Sequence, residues 1–105
     1  MILPDSFNVR HRDVIIGVAN RHRLPFIGFD VFATAGGLMT YFPDAVDLHM
    51  QATAYVDRVL KGEMPSELPV QTPTKYKLWI NLQTANALGL KVPPTLLARA
   101  DEVIE

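Results

Sequence analysis

Residues 36–55 read Gly-Gly-Leu-Met-Thr-Tyr-Phe-Pro-Asp-Ala-Val-Asp-Leu-His-Met-Gln-Ala-Thr-Ala-Tyr, and this stretch decides the fold. Gly36-Gly37 reverses the chain. Leu38 to Phe42 then forms a short apolar strand, because aromatic and apolar residues in a short run suit a pleated, buried surface. Pro43-Asp44 ends the strand and starts a helix. Asp44 caps it by accepting from the orphan amides of the first turn, and Asp47 sits where the helix dipole favours a negative charge. Ala45, Leu48, Ala52, Tyr55, Val56 and Val59 recur at helical spacing, and Gly62 stands where a C-terminal glycine belongs.

The same reading extends in both directions. Ile2-Leu3 is a short apolar start, cut off by Pro4, and it reads as the end of a strand. Asp5 or Ser6 caps a helix that runs to about His22. Phe7, Val14, Ile15 and Val18 form its apolar stripe, while Arg10, Arg12, Asp13 and Arg21 face away. Leu24-Pro25 ends that helix. Phe26 to Phe29 reads as a buried strand and Val31 to Ala35 as a helical turn. Beyond Gly62, residues 63–73 form a loop with three prolines. Tyr76 to Ile80 alternates weakly and reads as a strand. Leu82 to Leu88 is a short helix ended by Gly89, and Pro93-Pro94 opens a last helix over 95–100. Strands alternating with helices predict an α/β fold with a short, mostly parallel sheet, and such a sheet needs helices on both faces.

Bulk composition narrows the function classes. The chain has 105 residues, which makes it a single small domain with a thin stability margin. Hydrophobic residues make up 49% and charged residues 20%, a globular balance rather than a disordered one. A formal net charge of −1 gives no general attraction to nucleic acid or anionic lipid. There are no cysteines, so disulfides and thiolate metal sites are excluded. No apolar run approaches the roughly 18 residues of a membrane span, so no membrane insertion is expected. Residues 1–12 carry no basic region followed by an apolar run, and the chain as given is expected to stay in the cytoplasm.

In open α/β sheets, ligands bind beyond the carboxyl ends of the strands. Three loops qualify, and parallel strands would bring them to one edge. They hold Asp5 and Ser6, then Asp30, then Tyr41 and Asp44. Helix starts, aromatic faces and a carboxylate together suit a small zwitterion or an aromatic ligand. Asp5, Ser6 and Asp44 also serve as ordinary helix caps. Asp30 begins no long helix and reads equally as a turn residue or a ligand contact.

No catalytic residue and no metal or other cofactor is expected. His11, His22 and His49 lack metal-ligand spacing, since eleven residues put the first two about three helical turns apart. Ser6 has no nucleophile elbow around it, and Gly36-Gly37 lacks the Lys-Ser/Thr of a phosphate loop. The basic cluster Arg10, His11, Arg12, Arg21, His22 and Arg23 is interrupted by Asp13 and an apolar face, so it reads as a solvated helix surface rather than a nucleic-acid patch. Trp79, the single tryptophan, reads as core or as an interface anchor. Glu102 and Glu105 read as part of an exposed tail.

Five segments, taken in order, resemble the ABC-transporter substrate-binding proteins of the periplasmic-binding-protein-like type I fold. They are Pro4-Asp5-Ser6-Phe7, Arg23-Leu24-Pro25, Ala35-Gly36-Gly37-Leu38-Met39-Thr40-Tyr41, Ala54-Tyr55-Val56-Asp57-Arg58-Val59-Leu60-Lys61-Gly62, and Lys91-Val92-Pro93-Pro94 through Glu105. The resemblance covers nearly the whole chain but only the last third or so of a family member. It implies a partial three-layer α/β/α lobe from the C-terminal part of a two-lobed protein that holds an amino acid or similar small solute for an ABC permease. It places Asp5, Ser6, Asp30 and Tyr41 on the cleft side. Many relatives carry glycine where this chain has Phe42 and a basic residue where it has Asp30, so the ligand type does not carry over. Full-length relatives are expected in the periplasm or on a lipid anchor. A partial lobe would leave a sheet edge and an apolar face uncovered, which predicts a homodimer. A stand-alone cytoplasmic ligand-sensing or dimerisation module is the alternative.

Overall fold

A computed structural model describes all 105 residues. The elements run α1 (Ser6–Arg10), α2 (Arg12–Arg21), β1 (Ile27–Gly28), α3 (Val31–Thr34), β2 (Met39–Pro43), α4 (Ala45–Leu60), a 3-10 turn (Pro65–Glu67), β3 (Tyr76–Asn81), α5 (Leu82–Ala87), α6 (Pro94–Leu97) and β4 (Glu102–Ile104). The strands form one open sheet in the order β1-β2-β3-β4. β1 and β2 are parallel, with Ile27 opposite Met39 and Gly28 opposite Thr40. β3 and β4 are also parallel, from Trp79 opposite Glu102 to Asn81 opposite Ile104. Between β2 and β3 the direction reverses. Asn81 N–H donates to the Leu38 carbonyl and Asp44 N–H to the Lys75 carbonyl, so the partner numbers run in opposite senses. The α/β fold with a short, mostly parallel sheet predicted from the sequence is therefore present, as two parallel pairs joined through one antiparallel pairing.

The chain divides into two compact units. One comprises Met1–Phe42 and Lys77–Glu105, the other Pro43–Tyr76. The first holds every buried residue. Its core is built on α3 and the strands around it: Phe32, Ala33, Thr40, Ile80 and Ala85 are wholly buried, with Ile16 and Ala19 of α2 closing one side. Phe32 takes edge-on contacts from Phe26 and Phe29, with ring centroids 5.8 and 5.2 Å away. The two glycines after α3 have distinct jobs. Gly36 takes a left-handed φ of +105° that any side chain would resist. At Gly37 a Cβ would fall 2.7 Å from the Phe32 carbonyl oxygen, the same oxygen that accepts the Gly37 N–H. The turn read from the sequence is thus a helix C-cap closed by a six-to-one hydrogen bond. Arg23-Leu24, Gly62-Glu63 and Gly89-Leu90 repeat that closure after α2, α4 and α5.

Asn81 joins the elements of this core. Its amide nitrogen donates to the Ala33 carbonyl at 3.1 Å, and its side-chain oxygen accepts from Thr84 N–H at 3.0 Å to cap α5. Thr84 Oγ1 donates to the Gly36 carbonyl at 3.0 Å. The end of β3 is thereby tied to α3 and to the Gly-Gly turn.

Several expectations need correction. The helix expected over 5–22 is two helices meeting at His11, whose ring Nδ1 donates to the Phe7 carbonyl at 2.9 Å while its backbone leaves helical geometry. The buried face of α2 is Ile16 and Ala19. Phe7, Val14 and Val18, assigned above with the half-buried Ile15 to an apolar stripe, are 67%, 65% and 49% exposed: Phe7 lies on the separate α1, and α2 turns Ile16 and Ala19 to the core instead. Ile2-Leu3 makes one backbone bond to the sheet, from Ile2 N–H to the Ile27 carbonyl, and is not a strand of it. The last helix is only Pro94–Leu97. The expected exposed tail is instead β4, whose entry is held by Asp101: its N–H donates to the Leu78 carbonyl and its carboxylate accepts from Leu78 N–H. Trp79 is half-buried, edge-on to Phe42 at 5.3 Å between ring centroids.

The second unit is α4 and the segment that returns from it. Asp44 caps α4 through Val46 N–H at 2.9 Å, as expected. Asp47 receives Lys75 Nζ at 3.1 Å and Gln51 Nε2 at 2.5 Å. Arg58 donates to Glu63 through both Nε and a terminal nitrogen, and its guanidinium lies 5.8 Å from the Tyr55 ring centroid. No residue of this unit is buried.

Candidate functional site

The chemistry-bearing loops follow from the topology. β1 and β2 point the same way, and Phe29-Asp30 leave the carboxyl end of β1 beside Tyr41-Phe42, which lie within β2 rather than in the loop expected from the sequence. The Asp5-Ser6 loop joins them through the bond between Ile2 and Ile27. An open recess of about 490 Å³ lies there, walled by Asp5, Ser6, Arg10, Arg12 and Phe29, with Pro4 and Val9 completing it. All of these residues belong to the first unit.

Each candidate has a defined local role. Asp5 Oδ1 accepts from Phe7 N–H at 2.6 Å and caps α1. Ser6 is the first residue of α1, and Asn8 pins the loop by donating its amide to the Leu3 carbonyl at 3.1 Å. Asp30 Oδ1 accepts from Val31 N–H at 2.6 Å and caps the four-residue α3. Tyr41 is 59% exposed on β2. The recess brings Asp5 and Ser6 together. Asp30 follows directly on its Phe29 wall, and neither Asp30 nor Tyr41 lines it.

Arg10 and Arg12 are the wall residues that the sequence reading left on a solvated face. The signal that finds them is spacing, since Ser6 and Arg10 are four positions apart and share one face of α1. Arg12 Nε stands 3.7 Å from Asp13 Oδ1, and both side chains are well exposed. Arg10 makes no ion pair, whereas Arg58 is held above its ordinary pKa by its hydrogen bond to Glu63. Glu63 is correspondingly pulled below the ordinary carboxylate range by that same bond.

Other features are poorer candidates. A recess of about 530 Å³ over Thr95, Leu96, Ala98 and Arg99 carries one charged side chain and no aromatic wall. In the second unit a groove of about 440 Å³ is lined by apolar atoms of Val56, Val59, Leu60, Leu68, Pro69 and Val70. No group of three His, Asp or Glu side chains is placed to hold a metal ion. His49 Nδ1 donates to its own helix carbonyl at Ala45, at 2.6 Å. No helix is long and apolar enough to cross a membrane.

The fold matches known proteins. A conserved domain protein from Vibrio cholerae O1 biovar El Tor superposes with a TM-score of 0.86 at 28% identity, over 96% of this chain and 34% of its own. An ABC domain from Streptococcus pneumoniae, solved in complex with L-Trp, gives 0.82 at 26% identity, over 95% and 35%. A ligand-free, open substrate-binding protein from Clostridium difficile shares the fold at 0.70 and 18% identity, over 97% and 34%. The chain thus spans about a third of the length of these solved structures. Among curated proteins none matches. The family model for ABC transporter substrate binding protein matches residues 1–104, and the chain belongs to that family of solute-binding proteins.

Proposed function

We propose that this chain supplies the C-terminal part of a two-lobed solute-binding protein of an ABC import system, and that it takes an amino acid or similar small solute. The supporting observation is the walled recess beside Phe29, just past the carboxyl end of β1, since this fold class places ligands beyond strand carboxyl ends. The L-Trp bound to the Streptococcus pneumoniae relative supports the amino-acid class. The proposed contacts are Asp5 and Ser6 on the recess wall, with Asp30 and Tyr41 outside it reaching only a solute that extends past the Phe29 wall. The role is binding rather than catalysis, in keeping with the family. A two-lobed clamp needs both lobes, so the chain on its own is not transport-competent. Delivery to a permease and a periplasmic or lipid-anchored place belong to the full-length form. Calorimetric titration with L-tryptophan and a set of other amino acids tests this reading. Asp30→Ala and Tyr41→Ala are each expected to weaken binding about tenfold, the scale of one lost polar contact. Unchanged affinity in both would remove them from the site.

One observation favours a second role, self-assembly. The second unit buries none of its side chains, and Val46, Met50, Val56, Leu60 and Val70 are all more than half exposed. Apolar surface of that extent marks an interaction face. A homodimer covers it, and the chain then serves as a stand-alone ligand-sensing or dimerisation module. A monodisperse monomer in light scattering at micromolar concentration contradicts this role.

A further inference from the structure

We propose that Ser6 and Arg10 form a carboxylate-binding pair on the wall of the Asp5 recess and fix the orientation of the solute. The inference rests on the solute-site reading above and assigns the anionic end of the ligand. Both residues line the same recess and lie four positions apart on α1, so their side chains stack on one helix face. The wall that carries them is held by local bonds that leave both groups free. Asp5 caps the helix, Asn8 holds the Leu3 carbonyl, and His11 bonds back to Phe7 with its ring 4.2 Å from the Phe7 ring centroid. Arg10 is in no ion pair, and the Ser6 hydroxyl bonds to no protein group.

The chemistry follows from that inventory. A guanidinium presents a planar fork of donors that matches a carboxylate, and a hydroxyl adds a third donor. Arg12 stands on the same rim with only a 3.7 Å contact to Asp13, so it adds positive potential without committing its fork. Asp5 spends one oxygen on its cap and has a second for an ammonium. Phe29, Pro4 and Val9 give the recess an apolar wall for the body of the ligand. A small carboxylic acid with an apolar body satisfies all of these groups, and an α-amino acid does so with both charges. An amine without a carboxylate leaves the Arg10 fork unanswered.

The test separates this inference from the site reading. Nitrogen-15 spectra of the whole chain, including the arginine Nε–H signals, are recorded during titration with L-phenylalanine, 3-phenylpropionate and phenethylamine. The Arg10 Nε–H is expected to move with the first two and stay still with the third, whereas the Ser6 amide, next to Asp5, reports any ligand in the recess. Arg10→Gln is expected to weaken L-phenylalanine and 3-phenylpropionate at least about tenfold, the scale of a charge-assisted bond. Phenethylamine binding should be unchanged. Arg10 is exposed and unpaired, so the variant keeps its fold, which its backbone spectrum verifies. Movement at Asp30 and Tyr41 without movement at Arg10 overturns the pair and leaves the site standing. No movement at any of these residues overturns both.

Discussion

Replacing Asn81 with alanine probes the joint on which the first unit depends. Asn81 is 5% exposed and uses both ends of its amide, one to cap α5 and one to satisfy the buried Ala33 carbonyl. Loss of the cap costs about 1 kcal/mol. The Ala33 carbonyl, on a wholly buried residue of α3, keeps the Gly36 N–H at 3.3 Å and loses its second donor, which costs about 0.5–1.5 kcal/mol more. The two terms together predict about 1.5–2.5 kcal/mol. A chain of this length has an unfolding entropy that converts each kcal/mol to about 4–5 °C, so Tm should fall by about 6–12 °C. Asn81→Asp keeps the cap acceptor but faces the Ala33 carbonyl with a carboxylate. It should be the worse variant at neutral pH and recover as the pH falls and the carboxyl protonates. Urea unfolding followed by circular dichroism reads both. An Asn81→Ala variant within about 0.5 kcal/mol of the parent, the range of an inert surface change, refutes the reasoning.

Three further outcomes are expected. Thr40 is wholly buried with its hydroxyl unpaired, so Thr40→Val should stabilise by about 1 kcal/mol in the same unfolding assay, because it removes an unanswered polar group at constant shape. Gly37→Ala should destabilise by about 1–3 kcal/mol, since its Cβ would press on backbone at 2.7 Å; an unchanged melting midpoint would show that the turn can shift. Glu63 has a folded pKa below its unfolded one, so its contribution is present above the ordinary carboxylate range and is lost as the pH falls through the folded value. A carbon-13 titration of the Glu63 carboxyl should show the low midpoint in the parent and an ordinary one in Arg58→Met.

Much of the fold is legible in the sequence because local signals coincide with tertiary need. The Gly-Gly turn, the Pro43-Asp44 helix start and the Gly62 and Gly89 stops all stand where they were read, each by a mechanism local to a few residues. β4 was not legible. Glu-Val-Ile at 102–104 carries no period of its own and becomes a strand only because β3 lies beside it. The break at His11 and the face of α2 also depend on packing, since Val14 and Ile16 are equally apolar by sequence and only the core decides between them. The same division holds at the candidate site. Asp5 and Ser6 were legible as loop residues after an apolar run. Arg10 was hidden because an arginine on the polar face of a helix read as running to His22 looks solvated until Phe29 is seen to line a recess with it.

The proposal for this chain joins a solute-binding recess beside Phe29 to an apolar assembly face on the second unit. Native mass spectrometry of the purified chain, alone and with a pooled set of amino acids, tests both at once. The account predicts a dimer that carries a small-molecule adduct, and the adduct mass names the solute. A bare monomer throughout would contradict the claim.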